Sequence, residues 1–163
     1  MKHLFKSLIV TVLFLSNSSL AASTLGAVIV QEKGADFGES CKRICANPHN
    51  ILIDFSQLHL TDDDLTAIFQ GLVERQKVVA SDPSSPKLML LSLVSDAITQ
   101  RGILNFLQKL QRGQESSDGT SVVIPDLSDA ILKVYLTLDE EFLEEASAIA
   151  PAVFAKHLKL ISS

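Results

Sequence analysis

Tryptophan is absent from this 163-residue chain, tyrosine occurs once, cysteine twice, and glycine and proline together fill only 12 positions. Sparse glycine and proline exclude collagen-like repeats and low-complexity linkers, and a chain that is 47% hydrophobic and 20% charged is not a disordered one. With Tyr135 as the single tyrosine and no tryptophan, the chain lacks the stacking platforms on which proteins hold bases and sugars. Clustered positive charge is missing too: the longest basic grouping is Lys42-Arg43, and the formal net charge is −5. Tight nucleic-acid binding replaces counterions with grouped Lys and Arg, so no nucleic-acid partner is expected, and an anionic membrane surface is disfavoured for the same reason. There is no G-x-S-x-G elbow, no H-E-x-x-H, no glycine-rich phosphate loop and no dinucleotide fingerprint, so no cofactor is expected and the common motif-bearing enzymes are disfavoured.

What the chain does have begins at its N-terminus. MKHLFKSLIVTVLFLSNSSLAAS carries Lys2 and Lys6, an apolar run from Leu8 to Leu15 and a polar stretch ending in small residues, which is the layout of a secretory signal peptide. Ser19 and Ala21 at the −3 and −1 positions place cleavage after Ala21. The apolar run is shorter than the ~20 residues a membrane helix needs. The last apolar stretch is broken by Lys156, His157 and Lys159, so the mature chain is expected to have no transmembrane segment. The expected organisation is a signal peptide at 1–21 and a single α/β domain at 22–163, periplasmic or secreted. Losing Lys2 and Lys6 with no acidic residue takes the net charge to −7.

In that compartment thiols are normally oxidised, so Cys41 and Cys45, in GESCKRICANPHN, are expected to pair as a disulfide across a turn. Three other readings stay open: a zinc site of Cys41, Cys45 and His49, with His59 as a fourth ligand; a redox pair, for which the C-x3-C spacing is one residue too long; and disulfides between chains.

Beyond the cysteines a unit repeats. Ile51 to Phe55 alternates like a strand, Thr61 and Asp64 make a capping box, and Leu65, Ile68, Phe69, Leu72 and Val73 form a helical stripe ending near Gln76. The acids Asp62 to Asp64 lack the alternating oxygen ligands and glycine of a calcium loop and suit the positive end of a helix. After SDPSSPK the pattern returns: LMLLSL as a strand, Thr99 as N-cap, and Ile103, Phe106, Leu107 and Leu110 as a stripe. Ile53 to Leu91, Thr61 to Thr99, Leu65 to Ile103 and Leu72 to Leu110 are each 38 residues apart. A fixed period in this range is the mark of stacked repeats.

The strings IDFSQLHLTDDDL and LSLVSDAITQRGI resemble leucine-rich repeats of the ribonuclease-inhibitor-like kind, over residues 51–110. Gly102 matches the family glycine and Asp64 takes its place in the first unit, while Leu58 and Asp96 stand where the family has Asn. The resemblance implies short strands lining a binding face with helices packed behind. Asp54 and its 38-residue counterpart Ser92 would then project from that face.

The third unit is less regular. Val122 to Ile124 reads as the third strand, Asp126 or Ser128 as a cap, and Ile131 to Leu138 as a helix in preference to a strand. Thr137 and Glu140 make a further capping box. The segment 139–161 reads as C-terminal helix with Phe142, Ala146, Ile149, Val153 and Phe154 on one side and a break at Pro151. Leu25 to Val30 suggests an edge strand. The expected architecture is therefore two or three parallel strand-helix units, a short leucine-rich-repeat-like stack, closed by C-terminal helices. The expected function is an exported module that binds another protein without catalysis. The alternative is a small exported metal-dependent or hydrolytic enzyme.

Overall fold

The 38-residue spacing reappears as strand register: Leu52 lies opposite Leu90, Ile53 opposite Leu91 and Asp54 opposite Ser92. The computed structural model describes residues 10–14, 26–94, 97–115, 119–127, 131–135 and 140–160. In chain order the elements are β1 (Val10–Phe14), β2 (Gly26–Val30), α1 (Phe37–Ala46), β3 (Asn50–Asp54), α2 (Asp62–Ser81), β4 (Leu90–Val94), α3 (Gln100–Arg112), β5 (Gln114–Glu115), β6 (Val122–Val123), β7 (Ile131–Tyr135), α4 (Glu140–Ile149), α5 (Pro151–His157) and β8 (Leu158–Leu160).

The main sheet runs β1-β2-β3-β4-β7-β8, and all neighbours are parallel except β1, which lies antiparallel to β2. Five parallel strands follow one another in chain order. Right-handed crossovers between such neighbours all fall on one side of the sheet, and α1 packs on α2, α2 on α3, and α3 on α4 and α5 as a single layer. Val28, Val30, Ile53, Phe55, Leu91 and Leu93, the alternate residues facing those helices, are buried in one core cluster with the stripes of α2 and α3.

Each long helix has a chemical reason to begin where it does. Thr61 opens α2 with its capping box closed, and the Asp64 carboxylate accepts from the Thr61 N–H at 2.8 Å and pairs with Lys33 at 2.6 Å. Thr99 opens α3 by accepting from the Gly102 N–H at 2.9 Å. Leu65, Ile68, Phe69, Leu72 and Val73 are buried, as are Ile103, Phe106, Leu107 and Leu110. Helix α3 stops at Gly113, whose φ of +77° lets the chain turn into the β5–β6 hairpin. In contrast, α2 runs five residues past the expected end at Gln76.

Five expectations need correction. Val122 and Val123 form a strand, but in the separate β5–β6 hairpin rather than the main sheet. The strand that follows β4 in the sheet is β7: Ile131 to Tyr135 is a strand, not a helix, because its alternation sets Leu132 and Val134 beside Leu91 and Leu93 across the sheet. No helix starts at Asp126. The end of the 139–161 segment is also a strand, β8, following the two helices that Pro151 divides. The turn expected at the cysteines is instead the helix α1, marked by Phe37, Ser40, Cys41 and Cys45 on its buried side. Asp96, Ser128, Thr137 and the cleavage point at Ala21 lie outside the described residues.

Candidate functional site

Because the crossovers share one side, no helix among the described residues packs on the other face of the sheet. Alternation puts Ala27, Ile29, Leu52, Asp54, Leu90 and Ser92 on that face. All of them except Ser92 are half-buried. The central row reads Ile29–Asp54–Ser92–Lys133–Lys159 across five strands, and the row below it Ala27–Leu52–Leu90–Ile131. On β2, β3 and β4 the face is therefore an apolar strip of Ala27, Leu52 and Leu90 beside Asp54 and Ser92.

Asp54 and Ser92, expected as a pair on this face, are adjacent in register. They differ in how they are held. The Asp54 carboxylate accepts from the Ser56 N–H at 2.8 Å, an Asx-turn that starts the loop after β3. Ser92, expected to project from the binding face, is only 5% exposed, and its carbonyl accepts from the Phe55 N–H at 2.9 Å. Leu58, standing where the resemblance has Asn, is buried in the core, so this loop is anchored by an apolar side chain. Phe55 backs it, edge-on to Phe37 with 6.5 Å between ring centroids.

The cysteines occupy different ground. Cys41 and Cys45 are free thiols, fully buried one turn apart on α1. On a helix that spacing leaves ~5–6 Å between Cβ atoms, more than the ~3.5–4.5 Å of a disulfide, so bridging requires α1 to distort. Burial pushes the Cys41 thiol up to about 12, helped by the Asp64 charge and opposed by Lys33. Cys45 moves further the same way, through burial and then Cys41. Such thiols are poor nucleophiles and poor metal ligands at neutral pH. His49 and His59 are exposed, and among the described residues no three His, Cys, Asp or Glu side chains are grouped to hold a metal ion. The Cys41, Cys45 and His49 zinc site is not assembled.

A residue that the sequence reading passed over organises this end of the molecule. Arg75 of α2 is 4% exposed, and its guanidinium donates to four carbonyls: Nη1 to Asn47 (2.7 Å) and Asn50 (3.0 Å), Nη2 to Pro48 (2.8 Å) and Pro86 (3.1 Å). Burial pulls its pKa down, with Cys45 acting in the opposite sense. It ties the loops before β3 and β4 to α2. The only available signal was an arginine placed where the apolar stripe of α2 would continue.

Between the starts of α2 and α3 lies a cleft of about 220 Å³, lined by Asp62, Thr66, Gly102, Asn105, Phe106 and Lys109. Of its two carboxylates, Asp62 and Asp63, the first is engaged: Asp62 accepts from the Thr99 N–H at 2.9 Å and the Thr99 hydroxyl at 2.6 Å. The cleft is a seam between successive helices closed by a shared cap. No helix among the described residues is long and apolar enough to cross a membrane. No family model, curated protein or solved structure matches this chain.

Proposed function

We propose that this chain is an exported, non-catalytic module that binds another protein outside the cytoplasm through the open face of its sheet. One observation supports this most directly: among the described residues, helices pack on one side only of the five parallel strands, leaving Ala27, Ile29, Leu52 and Leu90 in a half-buried apolar strip beside Asp54. Parallel sheets are normally covered on both faces, and an uncovered one invites a partner. The likeness of residues 51–110 to leucine-rich repeats belongs to the same proposal. Strand, cap and helix recur at one spacing, and in that family the strand face is the one that binds. Export follows from the leader, with processing after Ala21 and a periplasmic or secreted location. Pairing of Cys41 with Cys45 in the exported protein is a separate proposal that α1 does not favour, and intact mass with and without reduction decides it.

The test is capture by the processed chain of a protein from the extracytoplasmic fraction of the source cells. Leu52→Lys and Leu90→Lys should abolish capture while leaving the circular dichroism spectrum unchanged, and Asp54→Ala should weaken it. Unaltered capture by all three overturns the assignment of this face.

A further inference from the structure

Residues 10–14 do two things in this chain: they form the core of the leader, and they occupy the outer edge of β2 as β1. This inference rests on the export reading given above. If processing removes residues 1–21, β1 leaves with them and β2 becomes the end of a five-stranded sheet. Its outward N–H and C=O groups then lose their partners.

The edge so exposed has none of the usual protection. Gly26–Val30 contains no proline and no charge, and its pairing with β1 runs unbroken from Val10–Val30 to Phe14–Gly26. The irregularity in β2 pairing, between Gly26 and Ala27, is on the β3 side. A flat, apolar, unpaired edge of this kind is a template for another strand. The chain cannot cover the edge itself, since only residues 22–25 precede β2 after cleavage. A tight reversal takes two of these and leaves too few to pair five residues.

The occupant is indicated by what sits there now. β1 reads Val-Thr-Val-Leu-Phe, and β2 reads Gly-Ala-Val-Ile-Val. Laid in the same direction, they match as Thr11 with Ala27, Val12 with Val28, Leu13 with Ile29 and Phe14 with Val30, each pair small or apolar on both sides. Val12 lies opposite Val28 in the antiparallel register. A second β2 set down in the place of β1 therefore meets the first with Val28 opposite Val28, Ala27 opposite Ile29 and Gly26 opposite Val30. That arrangement is its own image under a two-fold axis, as a symmetric dimer requires.

We propose that the processed chain dimerises through β2, pairing antiparallel with β2 of a second copy about a two-fold axis at Val28 and joining two five-stranded sheets into one of ten.

The experiment uses the exported protein, its N-terminus read by intact mass, in sedimentation over a series up to about 100 μM, where a micromolar association is fully visible. The expected result is a mass rising to twice that of the processed chain. Two edge variants accompany it. Ala27→Pro removes an outward N–H, and Ile29→Lys puts a charge on the strand; both should give monomers with unchanged circular dichroism, while Asp54→Ala on the sheet face should remain dimeric. A processed chain that stays monomeric throughout the series overturns the proposal and leaves the export and binding readings standing, as does a dimer that both edge variants preserve. An exported protein that retains residues 1–21 overturns the proposal together with the cleavage after Ala21, and leaves export itself standing.

Discussion

The two 38-residue units share a strand register and a capping position but are fastened by different means. In the first, α2 lies so close to α1 that a Cβ on Gly71 would stand 2.5 Å from the Lys42 carbonyl oxygen and 2.6 Å from the Cys45 Cβ. In the second, the position equivalent to Gly71 is Lys109, which reaches over the Phe69 ring at 5.9 Å, and the tight approach falls at Gly102, where a Cβ would meet the Asp62 carboxylate. The position of Arg75 becomes Gly113, so the first helix continues into a buried four-fold anchor and the second stops and turns. Strand alternation and an N-cap are enough to set the period. What each helix packs against fixes the remaining residues, which explains why the repeat fades outside the apolar stripe.

The sharpest way to break this comparison is at Arg75. Arg75→Ala leaves four carbonyls without their donor and should cost about 3 kcal/mol, since hydrogen bonds to a charged group contribute about 1.5–3 kcal/mol each and water can reach part of this site. Arg75→Lys should recover only part of that, since one ammonium cannot span the fork. Urea unfolding checks both, and a loss no greater than that of an exposed Arg112→Ala would show the anchor to be dispensable. Next is Gly71→Ala, where the obstruction is backbone and an inner Cβ. Overpacking there should cost about 1–3 kcal/mol. Gly102→Ala meets a side chain rather than backbone, but moving the Asp62 carboxylate breaks its bonds to Thr99, so its cost should be that of the shared cap, about 1–2 kcal/mol.

The thiols of α1 sharpen the same contrast, because only the first unit rests on them. Both thiols titrate near 9.0 when exposed, and Cys41 at about 12 when folded. The folded values are raised, so the stability they confer is whole below pH 9 and is lost as pH climbs from 9 towards 12, where the unfolded chain has released protons that the folded chain still holds. The reduced protein should lose up to about 1.4 kcal/mol per pH unit for each thiol in that window. Cys41→Ala should flatten the slope by one proton, and a disulfide-bonded sample should show none of it, which makes the pH profile an independent test of cysteine pairing.

Legibility from sequence followed how local the determining physics was. The strand at Ile51–Phe55, the caps at Thr61 and Thr99 and both helical stripes depend on spacings within a few residues, and the offset Ile53–Leu91 proved to be the sheet register itself. Helix α1 is hard to read in sequence because a short helix with two cysteines and flanking Gly, Asn and Pro presents turn chemistry, while its helical periodicity is carried by Phe37, Cys41 and Cys45. Ile131–Tyr135 is ambiguous in sequence because five residues of mixed apolar character fit either period, and only the neighbouring β4 selects the strand. The burial of Ser92 and the anchoring of Arg75 are tertiary facts, set by segments distant in the chain.

The smallest effects should lie at the two caps, and their ranking follows from their connections. Thr61 shares its duty with Asp64, which also holds Lys33, so Thr61→Ala leaves the Asp64 bond to the N-cap N–H in place and should cost well under the ~1 kcal/mol typical of a lost cap. Thr99 is the middle of a relay: the Gly102 N–H donates to its hydroxyl, which donates to Asp62 in the preceding unit. Thr99→Ala removes both bonds and should cost about 1–2 kcal/mol. Asp62→Ala breaks the link between units but leaves the cap. A double-mutant cycle over Asp62 and Thr99 should therefore show coupling of about 0.5–1 kcal/mol, whereas Asp63 and Thr99 should be additive. Additivity at both pairs would mean that the shared cap does not fasten the units and that stacking rests on the apolar stripes and Gly102 alone.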